Sequence, residues 1–264
     1  MHGSLAARSH AKRIVAAILS LMGLAASAQE LRVYYFPRPP LYTTEADGSA
    51  GGFLNEVATL ALDEAKIPYR LVEIPSARVE PSLKNGDYAA GLGWFKNPER
   101  EQWAHFSLPL YQDLPLVAVL NKAKASSFGS EASIDQLLGA GLTLGTIKSF
   151  SYGSFADRAI ERLHPKIETI VGPQASLVLM AAHGRVDLLL LGMEEAGYLM
   201  EHERDSAASL AIVRISDAPA GNFRYLMFSK AVPIAIVERI DAAIAKIKGR
   251  AAYKKLVDFS RYFK

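Results

Sequence analysis

The chain has no cysteine among its 264 residues, so it forms no disulfide and offers no cysteine for lipidation at a signal cleavage point. Histidine does not stand in for it. His105, His164, His183 and His202 are far apart in the chain and no HExxH pair occurs. Glu201-His202-Glu203 puts consecutive side chains on different helix faces, which excludes a zinc site by spacing. Neither a Walker loop nor a Rossmann glycine fingerprint is present, so no cofactor is called for. Ser151-Tyr152-Gly153 is not a G-x-S-x-G nucleophile elbow, because Ser149 stands where the first glycine belongs, and no catalytic residue is assigned. There is no Lys/Arg-rich run and no nucleic-acid motif, hence no electrostatic footprint for DNA or RNA. The uncharged, mostly apolar run Ile14 to Leu24 is too short to span a bilayer, so the protein is not read as membrane-embedded.

That run has another use. Arg8, Lys12 and Arg13 precede it and Ala26-Ser27-Ala28 follows, the pattern of a secretory signal cleaved after Ala28. The segment carries three basic residues and no acidic one, so its removal takes the formal charge from +3 to zero. What remains, residues 29–264, is enough for one large domain or two small lobes with cores of their own.

Leu31 to Phe36 is β-branched and aromatic and stops at Pro37-Arg38-Pro39-Pro40, which predicts a first strand and a rigid extended loop. Phe36, Arg38 and Tyr42 in that loop are candidates either for a ligand wall or for a small core beneath it. Gly52 to Ala65 keeps helical spacing, Tyr69 to Ile74 reads as a second strand, and Ser76 to Lys84 as a short helix with Arg78 in its first turn. Arg78 is then a ligand contact or a surface arginine.

Asn85 to Tyr111 carries the strongest signals. Gly86 can close a helix, and Tyr88 to Trp94 is short, apolar and small enough for a buried strand. Asn97 is a predicted N-cap, with Pro98 at the first helical position and Glu99 and Glu101 where the helix dipole favours negative charge. Arg100 therefore stands beside the carboxyl end of a buried strand, the address of ligands in open α/β sheets, with a planar fork that matches a carboxylate or phosphate. GDYAAG, then PER, then FSLPLY, in this order and spacing, resembles the periplasmic solute-binding proteins of the polar amino-acid uptake type (bacterial extracellular solute-binding protein family 3). The resemblance runs over most of Leu31 to Lys264.

The rest of the chain follows the same plan. Leu116 to Leu120 is an apolar strand, Ser133 with Gln136 a capping box, and Leu142 to Ile147 a strand. Ser149, Phe150, Ser151 and Tyr152 precede a helix from Phe155 to Leu163, a place for an anion on backbone N–H groups or simply an N-cap. The resemblance implies a ligand-contacting turn there. Helix, Asn85-Gly86-Asp87 and strand are echoed by a helix from Leu177 to Ala182, Gly184 to Asp187, and Leu188 to Leu191. Asp87 and Asp187 read as turn residues, not catalysts. Ile212 to Ile215 closes the second half, Arg224 to Phe228 leads back, and a long amphipathic helix and a terminal helix finish the chain.

The expected fold is α/β, two-lobed and of the type II periplasmic-binding-protein kind. Residues 29–112 and 226–264 form one lobe, 113–225 the other, with two hinge crossovers. The resemblance implies a monomeric periplasmic receptor that closes on a small carboxylate-bearing ligand and passes it to an inner-membrane ABC permease or a sensor. Trp94, Phe95 and Phe36 would wall the ligand. A departure limits which ligand: where relatives that grip an α-amino group carry an Asp, this chain has Gly192, with Glu194 or Glu195 the nearest substitute. The usual T-x-T before E-R is Phe95-Lys96-Asn97. The alternative is a lyase on the same scaffold, similar to cyclohexadienyl dehydratase, with Glu194 or Glu195 as general acid.

Overall fold

The computed structural model describes residues 29–148 and 150–263; the expected signal segment and Ser149 lie outside them. Strand β1, Leu31–Tyr35, ends just before Pro37, which has no N–H to offer a neighbouring strand. β2 (Thr43–Thr44) and β3 (Ala50–Gly51) pair as a small ribbon ahead of a helix, Phe53–Ala65. β4 (Tyr69–Glu73), the helix Ser76–Lys84, β5 (Ala89–Trp94), the helix Pro98–Trp103, β6 (Ala104–Phe106) and β7 (Tyr111–Gln112) follow. The chain then builds β8 (Leu116–Asn121), β9 (Glu131–Ala132), β10 (Thr143–Ile147), β11 (Lys166–Ile170), β12 (Leu188–Gly192) and β13 (Leu210–Ile215), and comes back through β14 (Phe223–Ser229).

Two mixed sheets result. The first has the order β4-β1-β5-β14-β6 with β7 also on β14, and the second β11-β10-β12-β8-β13-β9. In each, a strand that arrives from the other part of the chain runs antiparallel beside the most buried parallel strand: β14 against β5, β8 against β12. The faint repeat in the sequence is thus the repeat of a sheet plan.

Both faces of the second sheet are covered, and β12 shows why its sequence is an unbroken leucine run. Leu188 and Leu190 pack into one apolar cluster with Leu137, Leu144 and Val213, while Leu189 and Leu191 pack into another with Val119, Leu177 and Ala181. Each fully buried leucine stabilises the fold by about 1.5–3 kcal/mol. The first sheet is covered on one face by the helices Phe53–Ala65 and Ile234–Ile247 and on the other by Val79 and Leu83 of the helix Ser76–Lys84. In β5, Gly93 has φ 74°, and a Cβ there would lie 1.7 Å from the Tyr42 hydroxyl, so only glycine lets Tyr42 reach the Leu92 carbonyl at 3.1 Å.

Beyond the short strands β2, β3, β6, β7 and β9, which the sequence reading did not foresee, three departures stand out. β11 was not expected, and four of its five residues are exposed, so it carries no apolar alternation. The helix expected from Leu177 begins at Gln174, its start set by Pro173 rather than by apolar spacing. The expected terminal helix stops at Leu256 and gives way to a 3-10 turn, Ser260–Phe263.

Candidate functional site

The carboxyl ends of the parallel strands in the two sheets converge on one space. From the first sheet come Phe36 and Arg38, after β1, and Gly93 to Phe95, at and after the end of β5. From the second come Ser151 and Tyr152, after β10, and Gly192 and Glu195, at and after the end of β12. The chain segments that cross between the sheets close the back: Asp113, Leu114 and Leu116 on one, Pro219 to Asn222 and Arg224 on the other. A cavity of about 250 Å³ lies among them, and a smaller one of about 40 Å³ adjoins it, sharing Arg38, Phe95, Ser151 and Arg224. The larger has the capacity of a small organic molecule, the smaller of a few waters.

Two buried ion pairs line the larger cavity. Arg38 is fixed at its backbone by reciprocal hydrogen bonds with Tyr42, and its Nε and Nη2 donate to the two Glu195 carboxylate oxygens at 2.5 and 2.9 Å. This fork joins one sheet to the other. Burial acts to raise Glu195, but Arg38 outweighs it and holds the carboxyl below its usual range. Arg224 Nε donates to Asp113, and its Nη1 to the Gly93 carbonyl at 3.1 Å. Burial works against the Arg224 charge, yet Asp113, Tyr42 and Glu195 together raise its pKa above the ordinary value. Arg38 Nη1 and Arg224 Nη2 donate to no protein group among the described residues. Phe36 and Phe150 meet at 5.6 Å between ring centres, and the Arg38 guanidinium lies 4.9 Å from the Phe150 ring centre.

Several sequence-predicted residues occupy this site. Phe36, Trp94, Phe95 and Phe150 line one or both cavities, with Ser151 and Tyr152. Ser149 lies outside the described residues. In the turn before the helix Ser154–Leu163, Asp157 accepts from the Ser151 hydroxyl at 2.6 Å and the Tyr152 N–H at 2.9 Å, and Ser151 Oγ accepts from Gly153 N–H at 3.2 Å. These three donors are committed within the turn, while the helix itself starts at a Gly153 N-cap that has no side-chain cap bond, with Ser154 and Phe155 on the larger cavity.

The other four candidates lie as follows. Arg78 is exposed and lines neither cavity, since its helix turns that residue outward while burying Val79 and Leu83. Tyr42 sits behind the wall, fully buried, with its hydroxyl on Leu92. Arg100 has the expected cap, Asn97 accepting from its N–H at 2.8 Å, and lines the small cavity. Its fork, however, is not free: Nε and Nη2 donate to Glu80 at 3.0 and 2.7 Å and Nη1 to the Phe95 carbonyl at 2.9 Å. Glu194 lines neither cavity. It accepts from the Tyr111 hydroxyl and from Leu114 N–H at 2.6 Å, beside the first crossing between the sheets, and burial, with the charge of Asp113 added, pushes its pKa up to about 7.

Asp113 and Arg224 were not singled out as site residues. They lie 111 positions apart, and no spacing rule pairs them. A buried charge in each crossing segment is the one signal the sequence offered.

Two helix-flanked sheets joined by paired crossings, with a polar cavity between their strand ends, define a two-lobed solute-binding protein. The chain belongs to the bacterial extracellular solute-binding proteins, family 3, whose family model matches residues 31–264. Solved structures agree in fold. The arginine-, lysine-, histidine-binding protein ArtJ from Geobacillus stearothermophilus superposes with a TM-score of 0.70 at 16% identity, covering 89% of this chain and 95% of that one. A Salmonella typhimurium periplasmic binding protein with high arginine specificity gives 0.68 at 21%, covering 87% and 97%. The ancestral amino acid-binding protein AncCDT-1, a precursor of cyclohexadienyl dehydratase, gives 0.69 at 18%, covering 93% and 100%. A comparison with curated proteins found no match.

Proposed function

We propose that this protein is a periplasmic receptor that closes residues 29–112 and 226–264 against 113–225 over a small carboxylate-bearing solute and delivers it to an inner-membrane ABC transporter or a sensor. The observation that carries the anionic part is the pair of spare guanidinium nitrogens at the cavity wall. Asp113 and Glu195 are both held by arginines, while Arg38 and Arg224 each keep a terminal nitrogen without a protein partner among the described residues. Guanidinium donors left over beside carboxylates that arginines already neutralise favour an acceptor-bearing ligand and disfavour an ammonium, whose burial without a counter-charge of its own is costly. Phe95, Phe155, Leu116 and Leu190 give the larger cavity an apolar side. The preferred ligand is therefore an aromatic or aliphatic carboxylic acid rather than a polar α-amino acid. Contacts from the ligand to both lobes favour the closed state.

A thermal-shift screen of the standard amino acids against aromatic and aliphatic carboxylic acids, followed by calorimetry, tests this. Binding by the acids is the expected result. Micromolar binding of a polar amino acid that survives both Glu194→Ala and Glu195→Ala would overturn it. The second reading, a lyase on the same scaffold, draws support from a carboxyl raised to about 7, but that carboxyl is Glu194, which bonds the hinge and lines neither cavity. Catalytic turnover, as opposed to saturable binding alone, would decide for the lyase.

A further inference from the structure

Arg38 has the surroundings of a bound ligand. Its guanidinium leaves a turn of the first sheet, crosses the gap and ends on groups that all belong to the second. Glu195 supplies a bidentate carboxylate whose side chain is 1% exposed. Gly192 N–H donates to Glu195 Oε2 at 3.2 Å and fixes it. Phe150 supplies an aromatic ring 4.9 Å from the guanidinium carbon. Carboxylate, orienting amide and ring are the parts that recognise a planar cation, and here the cation is the only part contributed by the other sheet. Space borders the pair: Arg38 and Glu195 both line the 250 Å³ cavity, and Glu195 also borders a third cavity of about 110 Å³ with Pro39, Val178, Leu191 and Tyr198.

We propose that Glu195, the Gly192 amide and Phe150 form a guanidinium subsite that Arg38 fills in cis, so that the native protein turns cationic solutes away from a site otherwise built to hold them. Arg38 acts as a tethered ligand. Its tether makes occupancy independent of concentration, and a free guanidinium has to displace it against that advantage. The inference does not depend on the cavity's solute being an anion.

Chemical rescue tests it. Arg38→Ala keeps Cβ and removes the equivalent of ethylguanidinium. In calorimetry with ethylguanidinium chloride, which carries no carboxylate, the variant should bind one equivalent at least on the order of tenfold more tightly than the native protein. Ethylammonium should bind the variant on the order of tenfold more weakly than ethylguanidinium, because it lacks the fork. Arg38→Ala/Glu195→Gln should lose the ethylguanidinium site. If Arg38→Ala fails to fold because Glu195 is left unpaired, low-millimolar ethylguanidinium should restore its thermal transition where ethylammonium at equal ionic strength does not. A folded Arg38→Ala protein with no gain over native, a gain that persists in the double variant, native protein that binds ethylguanidinium as tightly as the variant, or an unfolded variant that ethylguanidinium does not rescue would each overturn the proposal.

Discussion

Glu194→Gln separates charge from hydrogen bonding at the crossing between the sheets. The glutamine keeps an acceptor oxygen for Leu114 N–H and the Tyr111 hydroxyl but cannot ionise. Burial and Asp113 raise Glu194 from 4.5 to about 7, so the folded protein holds this proton more tightly than the unfolded chain does. The stability it contributes is complete below the unfolded value and is lost as pH climbs from about 4.5 to about 7. At about 1.4 kcal/mol per pH unit, the loss over that window amounts to about 3 kcal/mol. Urea unfolding of both proteins at steps between about pH 4.5 and 8 reads it out, because groups that do not feel Glu194 cancel in the difference, which then belongs to Glu194 together with its neighbour Asp113. The native protein should lose about 3 kcal/mol relative to the glutamine variant as pH rises through the window. A difference that stays level with pH, or that changes in the opposite sense, would refute the assignment of a mostly neutral, buried Glu194.

Other expectations follow from the same contacts. Arg224→Ala leaves Asp113 buried without its cation and should lower stability by about 3–5 kcal/mol, with Arg224→Ala/Asp113→Asn recovering part of the loss in the same unfolding assay. Arg100→Ala should cost about 2 kcal/mol of stability through Glu80 and the Phe95 carbonyl while changing ligand affinity less; the reverse ranking by calorimetry would return the carboxylate clamp to Arg100. Gly221→Ala would place a Cβ 1.9 Å from the Asp113 carbonyl oxygen and should destabilise by about 2 kcal/mol or more, visible as a lower thermal midpoint. Intact mass of periplasmic material should begin at Gln29, and full-length chain in the membrane fraction would contradict that cleavage.

What the sequence revealed was whatever local chemistry fixes. Asn97 with Pro98 marked a helix start because cap and ring act within one turn, and the Ser133/Gln136 capping box is formed as read. The leucines of β12 declared a strand buried on both faces. β11 stayed hidden because edge position and exposure leave no apolar period, and its pairing with β10 is a tertiary fact. The site divided along the same line. Aromatic residues next to strand ends could be placed by address alone, since the carboxyl edge of a parallel sheet is where side chains meet a ligand. Which arginine is free could not. Arg100 and Arg38 both sit just beyond strand ends, and only the fold shows that Glu80 occupies the first while Glu195 and the cavity share the second.

The two crossings between the sheets do not behave as separate tethers. Asp113 N–H donates to the Asn222 carbonyl at 2.9 Å, Gln112 Nε2 to the Gly221 carbonyl at 3.1 Å, and the Asp113 carboxylate grips Arg224, so the two strands are laced into one ribbon. Mechanically, a laced ribbon resists its strands sliding past one another and resists torsion, but it bends. Glu194 clamps one end of it to the second sheet. For a receptor that opens and closes as proposed, this lacing would favour bending near residues 112–114 over sliding, and label pairs on the two lobes would then change in separation in proportion to their distance from that pivot.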